Sequence, residues 1–196
     1  MPNHSVSRLL LAVAVCAAAI SAAPAFAQDD GGTSKYRATL TFNPLLLLNP
    51  IFEVTAEFRV LPMIGVAAIG GGGARTRTVN SGFGAAIAKD NLIVAGVQAS
   101  YYLSGNFDEG MHAGFEVMYA RSQLVDSAGT PSAAAPSTST TVGAIGGYKL
   151  NWPISRQIGL TGLLQAGYGW VVASSKGTSS DSKAEPLLNV QFGASF

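Results

Sequence analysis

Few residues of this 196-residue chain are of the types that carry out acid–base or nucleophilic chemistry. The sequence contains one cysteine, Cys16, and two histidines, His4 and His112. A serine hydrolase needs a serine beside a histidine that accepts its proton, and a carboxylate that orients the ring. The run His112-Ala113-Gly114 brings no serine next to His112. We therefore expect His112 to be a neutral side chain in the interior or at the rim of the fold, and we expect no catalytic residue.

The glycine run Gly70–Gly73 is not a phosphate-binding loop. It is followed by Ala74-Arg75 and lacks the Gly-Lys-Ser/Thr ending that such loops need. Glycine is conformationally permissive, so we interpret the run as a flexible exit from a strand. Cysteine and histidine are too scarce for a zinc or iron site of the usual kind. The sequence predicts no metal and no other cofactor.

The first 27 residues have the three parts of a secretory signal peptide. Arg8 supplies the positive charge, Leu9 to Ile20 form a short apolar core, and Ala25-Phe26-Ala27 is a small-x-small cleavage site. The apolar core is shorter than the roughly 20 residues that a membrane-spanning helix needs. We expect export with cleavage after Ala27, which removes Cys16 and His4.

Composition narrows the class of protein further. Charged residues make up 12% of the chain, about half of what is typical of soluble domains. Without Arg8, 11 basic residues balance 11 acidic ones, so no basic field exists to recruit nucleic acid. No segment after the signal offers the roughly 20 continuous apolar residues of a membrane-spanning helix. A closed β-barrel is the other structure that satisfies its backbone in lipid.

Apolar and polar residues alternate with a period of two in eight segments, which predicts eight amphipathic strands. Short turns and long polar loops alternate between them, the long ones being residues 71–91, 123–139 and 173–185. This arrangement predicts an all-β fold, an eight-stranded antiparallel up-and-down transmembrane barrel with periplasmic turns and extracellular loops. Residues 28–34 are then a short periplasmic segment and residues 35–196 the barrel. The predicted strands are residues 36–43, 52–60, 63–70, 93–103, 112–120, 141–150, 158–172 and 187–196.

The aromatic residues of the apolar faces fall at two levels, as expected of lipid-facing girdles. The belt at the periplasmic rim is predicted to comprise Tyr36, Phe58, Tyr101, Tyr148 and Phe196. The belt at the outer rim is predicted to comprise Phe42, Phe52, Tyr119, Tyr168 and Trp170.

The predicted polar faces place three positive and three negative side chains in the lumen: Arg37, Glu53, Glu57, Arg59, Glu116 and Lys149. Eight strands leave an interior that side chains just fill. Unpaired charges there would be costly, so we expect a paired, hydrogen-bonded plug. An ion-conducting ring would need one sign of charge to dominate.

One connection does not fit the pattern. Residues Pro44 to Pro50 enclose four leucines, whereas an exposed loop should be polar. We expect the strands to run on into this segment, with a bulge at Pro44.

The eight amphipathic strands, the terminal strand ending at Phe196 and the segment Gly96–Tyr102 resemble small outer-membrane barrels of the OmpA/OmpX and OmpW kind. Asn43-Pro44-Leu45, followed by Glu53 to Arg59, is similar to a family of uncharacterised bacterial barrel proteins. The resemblance implies assembly by the outer-membrane insertion machinery, which reads the terminal strand at Phe192 and Phe196. Lipid A deacylases among small barrels carry His-x-Ser, which this chain lacks at His112.

These observations lead to one expected function and two alternatives. We expect a non-enzymatic protein of the bacterial outer membrane with a plugged lumen, which has a structural or surface-interacting role through its extracellular loops. Its expected partners are outer-membrane lipid and lipopolysaccharide. The first alternative is an OmpW-like conduit for small hydrophobic molecules. It would need an apolar-lined pocket that opens laterally between strands, in space left by Gly65, Ala67, Gly143 and Gly147. The second is a lipid-modifying enzyme, which would need a Ser–His–acid cluster near the outer rim.

Overall fold

The computed structural model describes residues 35–48, 50–81, 84–104, 106–125, 136–175 and 184–196. The predicted signal peptide, residues 1–27, and the predicted segment 28–34 lie outside these described residues. Among the described residues, no helix is both long enough and apolar enough to cross a membrane.

Eight antiparallel strands form a closed barrel in which each strand pairs with the next along the chain. The barrel closes between the first and last strands, where Thr39 pairs with Ser195 and Phe42 with Phe192. The prediction of eight strands closed by the terminal one is therefore confirmed. The strands are β1 Ala38–Phe42, β2 Ile51–Leu61, β3 Ile64–Ser81, β4 Gly84–Tyr102, β5 Gly110–Val125, β6 Ser137–Pro153, β7 Gly159–Ser174 and β8 Ala184–Ser195.

The strands are strongly staggered around the barrel. Following the paired residues from Thr39 through β2 to β7 leads to Glu185 in β8, whereas Thr39 itself pairs with Ser195, ten residues further along. Such a stagger requires strands tilted by about 35–45° to the barrel axis. Residues far apart in sequence are thereby brought to the same height in the interior.

The two ends of the barrel differ. At one end, here called the turn end, lie the connections at residues 62–63, 103–109 and 154–158, together with Phe196. At the other, the loop end, lie the connections between β1 and β2, β3 and β4, β5 and β6, and β7 and β8. Residues 126–135 and 176–183, which belong to two of the predicted long loops, lie outside the described residues.

The predicted long loop at residues 71–91 is wrong. β3 and β4 form one continuous hairpin whose pairing runs from Ile64 and Tyr101 to Ser81 and Gly84. Residues Gly70–Gly73 carry no side chains and so show no alternation, yet their backbones pair with β4 as regularly as any others.

The connection from Pro44 to Pro50 also differs from the prediction. Residues Pro44–Leu48 form a 3-10 helix, here called the short helix, rather than extensions of β1 and β2. The Asn43 side chain accepts a hydrogen bond from the Leu45 amide at 3.1 Å, which satisfies an otherwise free donor at the start of the helix.

The barrel has a polar interior and an apolar outer surface. Outward-facing side chains such as Val97 and Phe115 are 56% and 69% exposed. A water-soluble barrel requires the opposite arrangement, because an apolar core stabilises it. The buried polar residues are Thr39, Thr41, Asn43, Glu53, Thr55, Glu57, Asp90, Gln98, Ser100, His112, Lys149, Thr161, Gln165, Gln191 and Ser195.

Candidate functional site

A buried ion pair lies in the turn-end half of the interior. Lys149 Nζ donates to Glu57 Oε2 at 2.7 Å and to Thr39 Oγ1 at 2.9 Å. The Tyr102 hydroxyl donates to Glu57 Oε1 at 2.9 Å, and the Phe107 ring centroid lies 3.9 Å from Lys149 Nζ. A buried charge without partners would be strongly destabilising, and here both charges are hydrogen-bonded. We call these five residues the Lys149 cluster.

The connection between β4 and β5 folds into the barrel and closes its turn end. Phe107 is fully buried, and its amide donates to the Pro62 carbonyl at 3.2 Å. Its ring meets Tyr102 edge-on at 5.9 Å between centroids. The Asp108 carboxylate accepts the Tyr36 amide at 3.1 Å, which ties this connection to the start of the barrel.

The sequence pattern predicts only a short turn between the strands at residues 93–103 and 112–120, and so it does not place Phe107 in the interior. The available signal was a single aromatic residue in an otherwise polar run, Ser104-Gly105-Asn106-Phe107-Asp108-Glu109-Gly110.

A chain of side-chain amides crosses the interior above the Lys149 cluster. The Asn43 amide donates to Asn189 at 2.8 Å, and the Asn189 amide donates to Gln165 Oε1 at 3.1 Å. The Gln165 amide lies 3.0 Å from His112 Nε2, which accepts its hydrogen. His112 is buried, and the side chain that it hydrogen-bonds to is the amide of Gln165. An amide cannot act as the nucleophile of a hydrolase. We call Asn43, Asn189, Gln165 and His112 the amide chain.

Hydroxyl groups fill the remaining interior near the Lys149 cluster. Ser195 Oγ lies 2.9 Å from Thr39 Oγ1 and 2.6 Å from Thr161 Oγ1, and the Gln191 amide donates to Thr55 at 3.2 Å. The cavity left among the described residues at this level is about 10 Å³, close to the least that holds one water molecule. The described interior is therefore closed here.

A larger cavity, of about 180 Å³, lies between the amide chain and the loop end. We call it the loop-end cavity. Two carboxylates, Glu53 and Glu116, share it with apolar side chains from six elements. Its lining consists of Asn43, Leu46, Glu53, Ile69, Glu116, Met118, Ile145, Gln165, Ala166, Leu187, Leu188 and Asn189.

The six charged residues predicted for the lumen do not form one network. Glu57 and Lys149 pair near the turn end, whereas Glu53 and Glu116 lie in the loop-end cavity. Arg37 precedes β1 and is exposed, and Arg59 is partly exposed near the end of β2 and has a partner of its own. The stagger of the strands separates side chains that share the inward face.

The aromatic residues of the predicted belts lie mostly where their strand positions suggest. Phe58, Tyr101, Tyr148 and Phe196 lie in the turn-end half, and Phe52, Tyr119, Tyr168 and Trp170 lie towards the loop end. Phe42 pairs with Phe192, three residues before the end of β8, and so lies closer to the turn end than the rest of its predicted belt.

Tyr36 is wrongly assigned to the outward belt, because it is 3% exposed. It precedes β1, so the alternation of the strand does not govern its direction. Its ring occupies the space beside Gly159, where an added Cβ would lie 2.7 Å from the Tyr36 hydroxyl oxygen.

Larger side chains take up the space beside the small interior residues. A Cβ at Gly65 would lie 2.3 Å from Glu57 Oε1, and one at Gly147 would lie 2.9 Å from His112 Cε1. A Cβ at Gly143 would lie 2.9 Å from Leu187 Cδ1. These glycines accommodate larger neighbours.

Among the described residues, no group of three or more histidine, cysteine, aspartate or glutamate side chains is arranged to hold a metal ion. Comparison of the chain with family models, with curated proteins and with solved structures found no match.

Proposed function

We propose that this chain is a non-enzymatic β-barrel protein of a bacterial outer membrane, with a plugged interior and a structural or surface-interacting role. The observation that carries the proposal is the inverted polarity of the barrel. Exposed apolar side chains such as Phe52, Ile93, Phe115 and Leu164 cover the outer wall, while hydrogen-bonded polar side chains fill the inside.

Hydrocarbon and water impose opposite requirements on such a wall. In lipid the apolar outer surface has a matching solvent, and the pairing of β1 with β8 joins the first strand to the last. In water the same surface would be a contiguous apolar patch far larger than monomeric soluble proteins expose. This difference supports placing residues 35–196 in a membrane, with export directed by the signal at residues 1–27.

The closed interior supports a role other than solute passage. The Lys149 cluster, which includes Phe107, blocks the turn end, so the proposed interactions take place at the loop end and on the outer wall. The proposed partners are outer-membrane lipid, lipopolysaccharide and the insertion machinery, which would recognise Phe192 and Phe196 in the terminal strand.

Purification and electrophoresis test the membrane location. We expect the protein to fractionate with outer membranes, to require detergent for solubility, and to migrate differently in SDS gels before and after heating. A purified protein that remains soluble and folded without detergent would refute the proposal.

Planar-bilayer recording tests the plugged interior. We expect no steady conductance, because the described interior is closed around Lys149. A large, stable conductance would contradict the plug and leave the membrane location intact.

The non-enzymatic assignment is tested separately, by mass spectrometry of lipid A from cells that express the protein. Loss of acyl chains would overturn it.

A second candidate function, traffic of small hydrophobic molecules, is favoured by one observation. The loop-end cavity has apolar walls formed by Ile69, Ile145 and Leu187, among others. Its floor is the amide chain, so the cavity supports binding from the loop end better than passage through the barrel.

A further inference from the structure

The barrel wall is interrupted beside the loop-end cavity. β1 ends at Phe42, whose partners are Val54 in β2 and Phe192 in β8. Beyond these pairs, the described residues of β8 from Ala184 to Gln191 have no strand partner on the β1 side. The short helix contacts β2 and β8 and occupies this gap. The wall is therefore formed here by side chains rather than by a hydrogen-bonded strand.

The residues at the gap are also residues of the cavity. Leu46 of the short helix lines the cavity, as do Glu53 of β2 and Leu187 of β8, which flank the gap. The neighbouring Leu45, Leu47 and Leu48 are 39%, 49% and 81% exposed. The short helix thus presents apolar side chains both to the cavity, through Leu46, and to the outer surface, through its neighbouring leucines.

The cavity is too small to enclose a long molecule. At about 180 Å³ it is only slightly larger than an engineered cavity of about 150 Å³ that binds benzene. A ligand with a longer apolar chain has to place its head in the cavity and its chain in the gap.

The charge of the cavity selects the kind of head. Glu53 is 8% exposed, and its carboxylate lines the same cavity as that of Glu116, so two like charges face one small space. Among the described residues neither carboxylate forms an ion pair, in contrast to Glu57 with Lys149. A cationic head between the two carboxylates would offset their repulsion and form charge-assisted hydrogen bonds.

We propose that the loop-end cavity binds the ammonium head of a slender cationic amphiphile, whose alkyl chain leaves the barrel past Leu46 between β2 and β8. The exit of the chain into lipid rests on the proposed membrane location, whereas the head site rests only on the cavity. The proposal assigns the apolar leucines of the short helix to the mouth of a site.

Isothermal titration of the full-length protein in a nonionic detergent, at pH 8, tests the head site. The probes are octylamine, octanol and octanoate, each corrected by titration into empty micelles. We expect saturable binding of octylamine with one molecule per barrel, weaker binding of octanol, and none of octanoate. Equal binding of octanoate, or no binding of octylamine, would overturn the proposal.

Two pairs of variants locate the site. The E53Q/E116Q variant is expected to bind octylamine at least about tenfold more weakly, since hydrogen bonds to charged groups are lost. The E109Q variant removes a carboxylate charge at an exposed position of the turn end; it is compared with E116Q alone and should bind as the unmodified protein does. L46W is expected to abolish binding by filling the mouth, whereas L48W, on the exposed side of the same helix, should not.

Each variant is first checked for heat-dependent migration in SDS gels, and E116Q alone replaces the double variant if that one does not fold. Undiminished binding by the glutamine variant or by L46W would sink the proposal. A protein that shows heat-dependent migration and requires detergent, but fails these binding tests, retains its proposed membrane function and loses only this site.

Discussion

Lys149 illustrates how a charge is accommodated inside so narrow a barrel. Its ammonium group is fully buried and meets a carboxylate, a hydroxyl and an aromatic face. The geometry matters more than the presence of an opposite charge, because a buried pair repays its desolvation only when its remaining hydrogen-bonding capacity is satisfied. Tyr102 and Thr39 provide that satisfaction. The cluster thus stabilises the turn end and closes it with the same contacts.

Replacing Lys149 by methionine should destabilise the barrel by about 3–5 kcal/mol, because Glu57 is left as an uncompensated buried charge. The double variant K149M/E57Q should recover part of this loss. Urea-induced unfolding, followed through the fluorescence of Trp152 and Trp170, provides the measurement. R37M, which removes an exposed charge, serves as the control and should change stability by no more than about 0.5 kcal/mol. A K149M variant as stable as the unmodified protein would contradict the structural role of the cluster.

At the scale of elements, the regular alternation of apolar and polar residues is lost on either side of β2. Before it, β1 is only five residues long and gives way to the short helix, because Pro44 lacks the amide that would continue the pairing. After it, β3 continues through a glycine run that pairs with both β2 and β4. Alternation reveals a strand only where successive side chains differ in polarity. It therefore underestimates the lengths of β3 and β4.

Hydrogen exchange distinguishes the extended hairpin from the loop first expected there. Amides of Arg77, Val79, Ala86 and Ala88, which point at the partner strand in the paired part of β3 and β4, should exchange slowly. The amide of Arg156, in a short exposed connection, is the internal control and should exchange rapidly. Exchange of the hairpin amides as fast as that of Arg156 would restore the loop interpretation.

At the scale of the whole molecule, closure and inverted polarity act together. Because the first and last strands pair, the barrel exposes no edge along β1 from Thr39 to Phe42. Every outward position on the eight strands then faces the same surroundings. The proposed membrane location follows from the wall as a whole, not from any single residue.

Introducing a lysine at Val97 tests whether the outer wall faces lipid or water. Val97 lies midway between the two aromatic levels on the outer wall and is 56% exposed. In a bilayer V97K should destabilise the barrel by about 2–4 kcal/mol, and L103K, at the turn end, by only about 0–1 kcal/mol. Urea titration of protein folded into lipid vesicles measures both. Equal effects of the two substitutions would argue against a buried mid-wall position.

The amino-acid sequence by itself determined the number of strands and which residues of each strand share a face. These properties are local, because alternation with a period of two is written into each segment separately. Only the tertiary structure decided which interior groups meet, since Lys149 and Glu57 are 92 residues apart and are joined by the stagger of the strands. It also decided that Phe107 closes the turn end and that the short helix completes the wall. Both outcomes depend on space left by other strands, which no segment encodes alone.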